Sequence, residues 1–382
     1  MRCLMGYRCI TRLILGLTAL FFALFVVAAA IIDPVNIWGC PVFAGFNNYK
    51  EIQFEISKPY EYGRVKPDIF FIGSSRVFVG LSPDFPGEEN KKIYNFGAVS
   101  LPLKEMREYL RLAYKIHKPQ TIYIGLDFFQ FGEKYQTAAN NFNQRRIDAA
   151  AHKLTRCFWQ IKDTTETVGS IPKVIEDSRK KPHVPMYYLG YDYEHGEGTQ
   201  SAITPEQYYG VFNLYNREVY PQWAPTENAY ALLEDIKNEA DAAGVKAVFF
   251  FNPFNVDVQS IIYNTNLHDE FKTVKRRVAS ITPFYDFAFV SPITAARQNC
   301  YRDPNHYLKP VGDKVKAALA AGGDSDISFF VNADNIENIL QKENEAYKKW
   351  RGENDAYAAA LDGYIKSKDE LPKGEFKQYW GF

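Results

Sequence analysis

The sequence predicts an α/β fold: a parallel sheet covered by helices on both faces, behind one N-terminal membrane-spanning helix. Three observations carry this. Residues 13–32, "LILGLTALFFALFVVAAAII", form one uncharged apolar run. Beyond it, short continuous apolar runs alternate with stretches of helical periodicity, the pattern of βαβ units. Each apolar run then ends in a glycine or polar signal, and open parallel sheets bind ligands outside the carboxyl ends of their strands.

At about 1.5 Å per residue the run 13–32 reaches roughly 30 Å, the thickness of a hydrocarbon core. Arg2, Arg8 and Arg12 precede it and Asp33-Pro34 follow it, which orients residues 1–12 to the cytoplasm. The rival reading is a cleaved signal peptide, for which "AAA" at 28–30 offers small residues. An apolar core longer than the usual stretch of about 7–15 residues favours an uncleaved anchor. The expected location is the inner (cytoplasmic) membrane, single-pass, with everything from residue 33 onward periplasmic or extracellular. Cys40, Cys157 and Cys300 fall on that side, so one disulfide is possible and its pairing is open. There is no CxxC and no His-rich spacing, so neither a metal nor a cofactor is expected. With 45 basic and 45 acidic residues, and no basic face standing out beyond the short run "KRR" at 275–277, nucleic acid is not an expected partner.

Residues 33–65 read as an irregular approach segment. "PDIFFIG" (67–73) and "KKIYNFG" (91–97) are the first two strands, followed by a helix over 103–118. "TIYIGLDFF" (121–129) is the third strand and "VKAVFFFNP" (245–253) the fourth, stopped by Pro253. Between them about 132–225 read as an inserted cap, helical over 143–163, because a structureless connection of that length is uncommon. A helix over 228–244 ends at Gly244, another covers 270–281, "FYDFAFV" (284–290) is a fifth strand, and a closing helix covers 310–322. The expected domain is 66–322, with a charged helical appendage over 323–382.

The strand ends deliver Gly73-Ser74-Ser75, Asn95-Phe96-Gly97, Gly125-Leu126-Asp127 and Asn252-Pro253, and after the fifth strand comes "YRDPNHYLKP" with Asp303 and His306. This set resembles the SGNH/GDSL hydrolase superfamily, over four short blocks across about 66–322. The resemblance implies a three-layer α/β/α, flavodoxin-like fold. It also implies Ser75 as nucleophile in the "GSS" block, with the N–H groups of Ser75 and Gly97 in the oxyanion hole. "DPNH" then supplies Asp303 as orienting acid and His306 as base. A serine hydroxyl needs such a base, and the base needs a partner that fixes its tautomer. The anchored layout is similar to the cell-envelope branch that acts in polysaccharide O-acetylation. It implies an extracytoplasmic esterase or O-acyltransferase, with acetyl the expected acyl group. An envelope polysaccharide or acylated glycan would be its partner, and a membrane acyl-donor protein a further one.

One block departs. Where the family carries Gly-x-Asn-Asp, this chain has Asp127, and an ionised aspartate accepts hydrogen bonds but donates none. Arg76, next to Ser75, is expected to pair with Asp127 and offer an N–H to the oxyanion or substrate. Asn252 is either a substrate ligand or a turn residue before proline. The aromatics Tyr187, Tyr188, Tyr191, Tyr193, Tyr208, Tyr209 and Trp223 are either packing or a sugar platform. The five histidines other than His306 show no partner motif and read as surface or packing residues. A non-catalytic glycan-binding or envelope-assembly protein on an SGNH-like frame is the alternative function.

Overall fold

The computed structural model describes residues 2–51, 53–136, 142–182, 189–197, 204–296 and 299–367. Tyr187 and Tyr188 lie outside the described residues. The chain divides into two compact units, residues 1–64 with 143–187, and residues 65–142 with 188–382.

The larger unit holds a six-stranded mixed sheet of order β2-β1-β3-β4-β5-β6. The strands are β1 (Ile69–Ile72), β2 (Ile93–Asn95), β3 (Thr121–Leu126), β4 (Lys246–Phe251), β5 (Phe284–Asp286) and β6 (Phe329–Val331). The first five run parallel and β6 is antiparallel to β5. All four side chains of β1 are buried, which is why it reads as a continuous apolar run without alternation. Each such apolar side chain contributes about 1.5–3 kcal/mol by leaving water. The helix Glu227–Ala243 stops at Gly244, whose φ of 69° places it in the left-handed region, where a Cβ would be strained.

The elements not expected from the sequence include three with a plain physical reason. β6 lies in the segment read as a purely helical appendage, where it forms a sheet edge. The helix Val256–Tyr263 follows Pro253, capped by Asn255, whose side chain accepts from the Asp257 N–H. In the smaller unit the helix Phe54–Val65 replaces the irregular approach segment, with Pro59 inside it. The helix Ile336–Glu353 is tied to the sheet of its own unit by charge. Lys275, buried, bonds Asp286 at the end of β5 and Glu343 of that helix, both at 2.7 Å.

The smaller unit contains the N-terminal helix Arg2–Ile32, within which Tyr7–Ile32 is long and apolar enough to cross a membrane. It also contains the helices Gln144–Ala150 and Lys153–Thr167, over the stretch expected to be helical. They are joined by a buried cluster: Asp163 takes Arg146 Nε at 2.8 Å and the Tyr60 hydroxyl at 2.5 Å. The described cysteines Cys9, Cys40, Cys157 and Cys300 are all free thiols.

His268, half-buried in the larger unit with its ring 4.3 Å from that of Tyr263, gives a pH prediction. Burial first, and then the charge of Lys272, pull it down from 6.5 to about 4. The unfolded chain therefore binds more protons than the folded one between those values. Stability is full above pH 6.5 and falls as the pH drops toward 4. His268→Gln is expected to flatten the melting-temperature profile across that window, and an unchanged slope would refute the assignment.

Candidate functional site

The site forms at the carboxyl ends of β1 and β3, where the sheet order reverses direction and parallel sheets open a crevice. β1 runs through Gly73 into the short helix Ser75–Gly80. The two serines of that turn do different work. Ser74 is buried and caps the helix, its side chain accepting from the Arg76 N–H. Ser75 is the first helical residue, half-exposed, and its Oγ lies 2.8 Å from His306 Nε2.

The loop carrying His306 is built by its own sequence. Tyr301 and Tyr307 form an antiparallel bridge, so residues 302–306 bulge as a tight turn. Asp303 Oδ1 accepts the backbone N–H groups of Asn305 at 2.9 Å and His306 at 3.0 Å, which closes the turn. The same carboxylate meets His306 Nδ1, with Oδ2 at 2.7 Å. A carboxylate can only accept, so Nδ1 carries the proton and Nε2 is left to accept from Ser75. Burial acts to raise the Asp303 carboxyl, but the His306 charge and three hydrogen bonds outweigh it and hold it below the ordinary aspartate value. The His306 side chain is 20% exposed and that of Asp303 4%. The reacting edge reaches solvent while its orienting acid does not.

The other expected residues are placed differently. Gly97 is not a free oxyanion donor: its N–H is donated to Asn95 Oδ1 at 2.7 Å. Asn95 is itself pinned, its amide donating to Val77 O at 2.7 Å and Leu81 O at 2.6 Å. Glycine stands at 97 because a Cβ would collide with the backbone of Phe78. The Ser75 N–H, by contrast, has no partner among the described residues.

Arg76 does pair with Asp127. Its guanidinium, however, is buried and holds protein partners on all three nitrogens: Nη1 on Asp127, and Nε and Nη2 on Asn305 Oδ1. It lies 4.6 Å from the centre of the Phe254 ring, beneath the site. The expectation that Arg76 offers an N–H directly to substrate is corrected on that ground. Asp127 is equally buried and caps the short 3-10 helix Phe128–Phe131, taking the Gln130 amide oxygen on its own N–H at 2.8 Å. Asn252 is buried too: its amide approaches Leu126 O at 3.3 Å, and it accepts the Tyr307 hydroxyl at 3.0 Å. It is a network residue, not an accessible ligand. Of the described aromatics, Tyr191, Tyr208 and Trp223 are buried, so they pack rather than present flat faces.

Two features escaped the sequence reading. The first is Asn305, inside "DPNH". Because a guanidinium only donates, the amide oxygen must face Arg76 and the NH2 group the other way. That places Nδ2 beside the reacting edge, 3.4 Å from His306 Nε2. The signal was a polar residue between the acid and the base. The second is a repeat of the motif in "DYEH": His195 Nδ1 lies 2.7 Å from Asp192 Oδ2, with the His195 N–H on the same carboxylate. His195 thus has the partner motif that the sequence reading denied it, although no serine meets it among the described residues.

No protein-family model matches this sequence, and no curated protein matches it at a significant level. The reading of the site rests on its own geometry.

Proposed function

We propose that the protein is a serine esterase or O-acyltransferase of the SGNH/GDSL type. The reading is carried by one observation: Ser75 Oγ, His306 and Asp303 form a continuous hydrogen-bonded chain at 2.8 and 2.7 Å. The strand order 2-1-3-4-5 of the parallel strands supports the flavodoxin-like, three-layer arrangement. The chemistry follows from the roles. Ser75 Oγ attacks the ester carbonyl while its proton passes to His306 Nε2. The tetrahedral oxyanion collapses, the alcohol leaves with the proton from His306, and the acyl group stays on Ser75. Water or a second hydroxyl then attacks, giving its proton to His306, and the acid or a new ester is released. The substrate class, acetyl esters of an envelope polysaccharide, and a periplasmic or extracellular setting rest on the resemblance and on the anchor helix.

Oxyanion stabilisation falls to the Ser75 N–H and to the Asn305 amide, which replaces from the base loop the donor that Asp127 cannot supply. Asn305→Ala is expected to lower kcat on an aryl acetate by about 10²–10³-fold, the usual loss for one oxyanion donor. KM should stay near wild type, while the melting temperature should fall, because the buried Arg76 Nη2 loses the amide oxygen it donates to. A loss confined to KM would assign Asn305 to ground-state binding instead.

The direct test is a fluorophosphonate, a serine-reactive probe, with intact mass recorded on the detergent-solubilised chain. One adduct on the wild type, absent from Ser75→Ala and His306→Ala, is the expected result. A second reading, a non-catalytic glycan-binding or envelope-assembly protein, draws on the committed Gly97 N–H and the acceptor-only Asp127. It predicts no adduct on any of the three.

A further inference from the structure

Outside the anchor helix, the exposed large apolar side chains among the described residues fall mostly in the smaller unit. They are Val42, Phe43, Phe46, Leu154 and Phe158 there, against Val99 and Leu214 in the larger unit. Leu154 is 87% and Phe158 68% exposed. Four residues apart on the helix Lys153–Thr167, they share one face.

Both groups sit at the end of the anchor. The helix Lys153–Thr167 packs on the anchor helix. The buried or half-buried anchor positions, Val26, Ala29, Ala30 and Ile32, all lie in its last two turns. Further on, Gln160 donates to Ile37 O at 3.1 Å, and Trp38 Nε1 to Thr164 Oγ1 at 2.8 Å. The apolar loop 41–46 is held at the same level, because Asn47 Nδ2 donates to Ile32 O at 3.3 Å and Pro41 O at 3.1 Å. The apolar span Tyr7–Ile32 has 26 residues. Its first six residues hold Arg8 and Arg12, and the uncharged remainder, 13–32, reaches roughly 30 Å at 1.5 Å per residue, the thickness of a hydrocarbon core. With the arginines at one headgroup boundary, Ile32 ends at the other. Isolated exposed apolar residues need no explanation, but a cluster beside a membrane-spanning helix does.

We infer that Leu154, Phe158 and the loop 41–46 form a membrane-interface belt that inserts into the leaflet from which the anchor emerges. The occupant is lipid of that same bilayer. Lys153 and Arg156 on the same helix suit anionic headgroups, as on amphipathic interfacial helices. The belt would fix the smaller unit against the membrane, where a single helix alone leaves it free to tilt and rotate.

This inference rests on the anchor reading, and the experiment separates the two. The full chain, with its five cysteines replaced by serine, is reconstituted in phosphatidylcholine–phosphatidylglycerol vesicles. Nitroxide labels are placed by Phe43→Cys, Leu154→Cys and Phe158→Cys, with Phe21→Cys as the anchor control and Asp241→Cys as the water control. Collision with oxygen, which concentrates in lipid, is compared with collision with a water-soluble nickel chelate. The belt predicts oxygen-dominated labels at 43, 154 and 158, shifted toward the value at 21 and away from that at 241. Nickel-dominated belt labels with an oxygen-dominated label at 21 would overturn the belt and leave the anchor standing. Belt labels shielded from both reagents would mean a protein partner or a second copy covers the face, which also overturns it. A nickel-dominated label at 21 would remove the anchor, and the belt with it.

Discussion

Ser75→Ala and His306→Ala are each expected to abolish turnover of an aryl acetate by a factor on the order of 10⁶, and the double variant is expected to be no worse than either. The two groups act as one unit. The Ser75 hydroxyl is a nucleophile only while His306 Nε2, 2.8 Å away, removes its proton. Without the base, the serine keeps its proton; without the serine, the base has nothing to activate. Removing the second partner after the first therefore removes nothing further. Asp303→Asn should lose less than either, about 10⁴-fold, because the asparagine amide would press Nδ1 into the acceptor tautomer and leave Nε2 protonated against Ser75. The measurement is steady-state hydrolysis with each variant's melting temperature alongside. Additive losses in the double variant would mean that Ser75 and His306 do not share a step.

Legibility follows from the range of the contacts. The nucleophile turn and the base loop are each local: Ser74 caps a helix that starts at the next residue, and Asp303 folds "DPNH" through bonds reaching two and three residues ahead. Such units can be read as motifs. The five parallel strands were legible because most of their side chains are buried whichever face they point to, which leaves little reason to alternate. β6 was not, being three residues long within charged surroundings. Neither was the helix Phe54–Val65, whose internal Pro59 argues against a helix from propensity alone. Gly97 misled for a physical reason. Glycine after a strand fits both a donor aimed at substrate and a close backbone crossing, and only the position of Phe78 distinguishes them. Asn305 escaped because its orientation is set by Arg76, 229 positions earlier in the chain.

Arg76 also accounts for the carboxylate at Asp127, with which it pairs, and this leads to the second large effect. Asp127→Asn, which puts the asparagine of the SGNH/GDSL pattern after the third strand, is expected to destabilise the fold rather than to improve catalysis. Arg76 and Asp127 have side chains 2% and 0% exposed. Burial acts to lower the arginine, but the Asp127 carboxylate more than reverses this and holds it above its ordinary value. An asparagine there would leave a buried guanidinium without its counter-charge, a change that costs about 3–5 kcal/mol. Arg76→Ala should cost a similar amount, because it strands the carboxylate and the Asn305 amide oxygen together. Joint replacement by apolar residues, Arg76→Met with Asp127→Leu, should lose less than the two single losses combined, since no lone charge remains. Activity separates the roles further. In Arg76→Met/Asp127→Leu nothing dictates which way the Asn305 amide faces, so kcat should fall even where the melting temperature recovers. Urea unfolding of the four proteins, with kcat measured on each, checks both halves. An Asp127→Asn variant that is as stable as wild type and faster would show that the carboxylate is not required by Arg76, and would return the oxyanion role to the third strand.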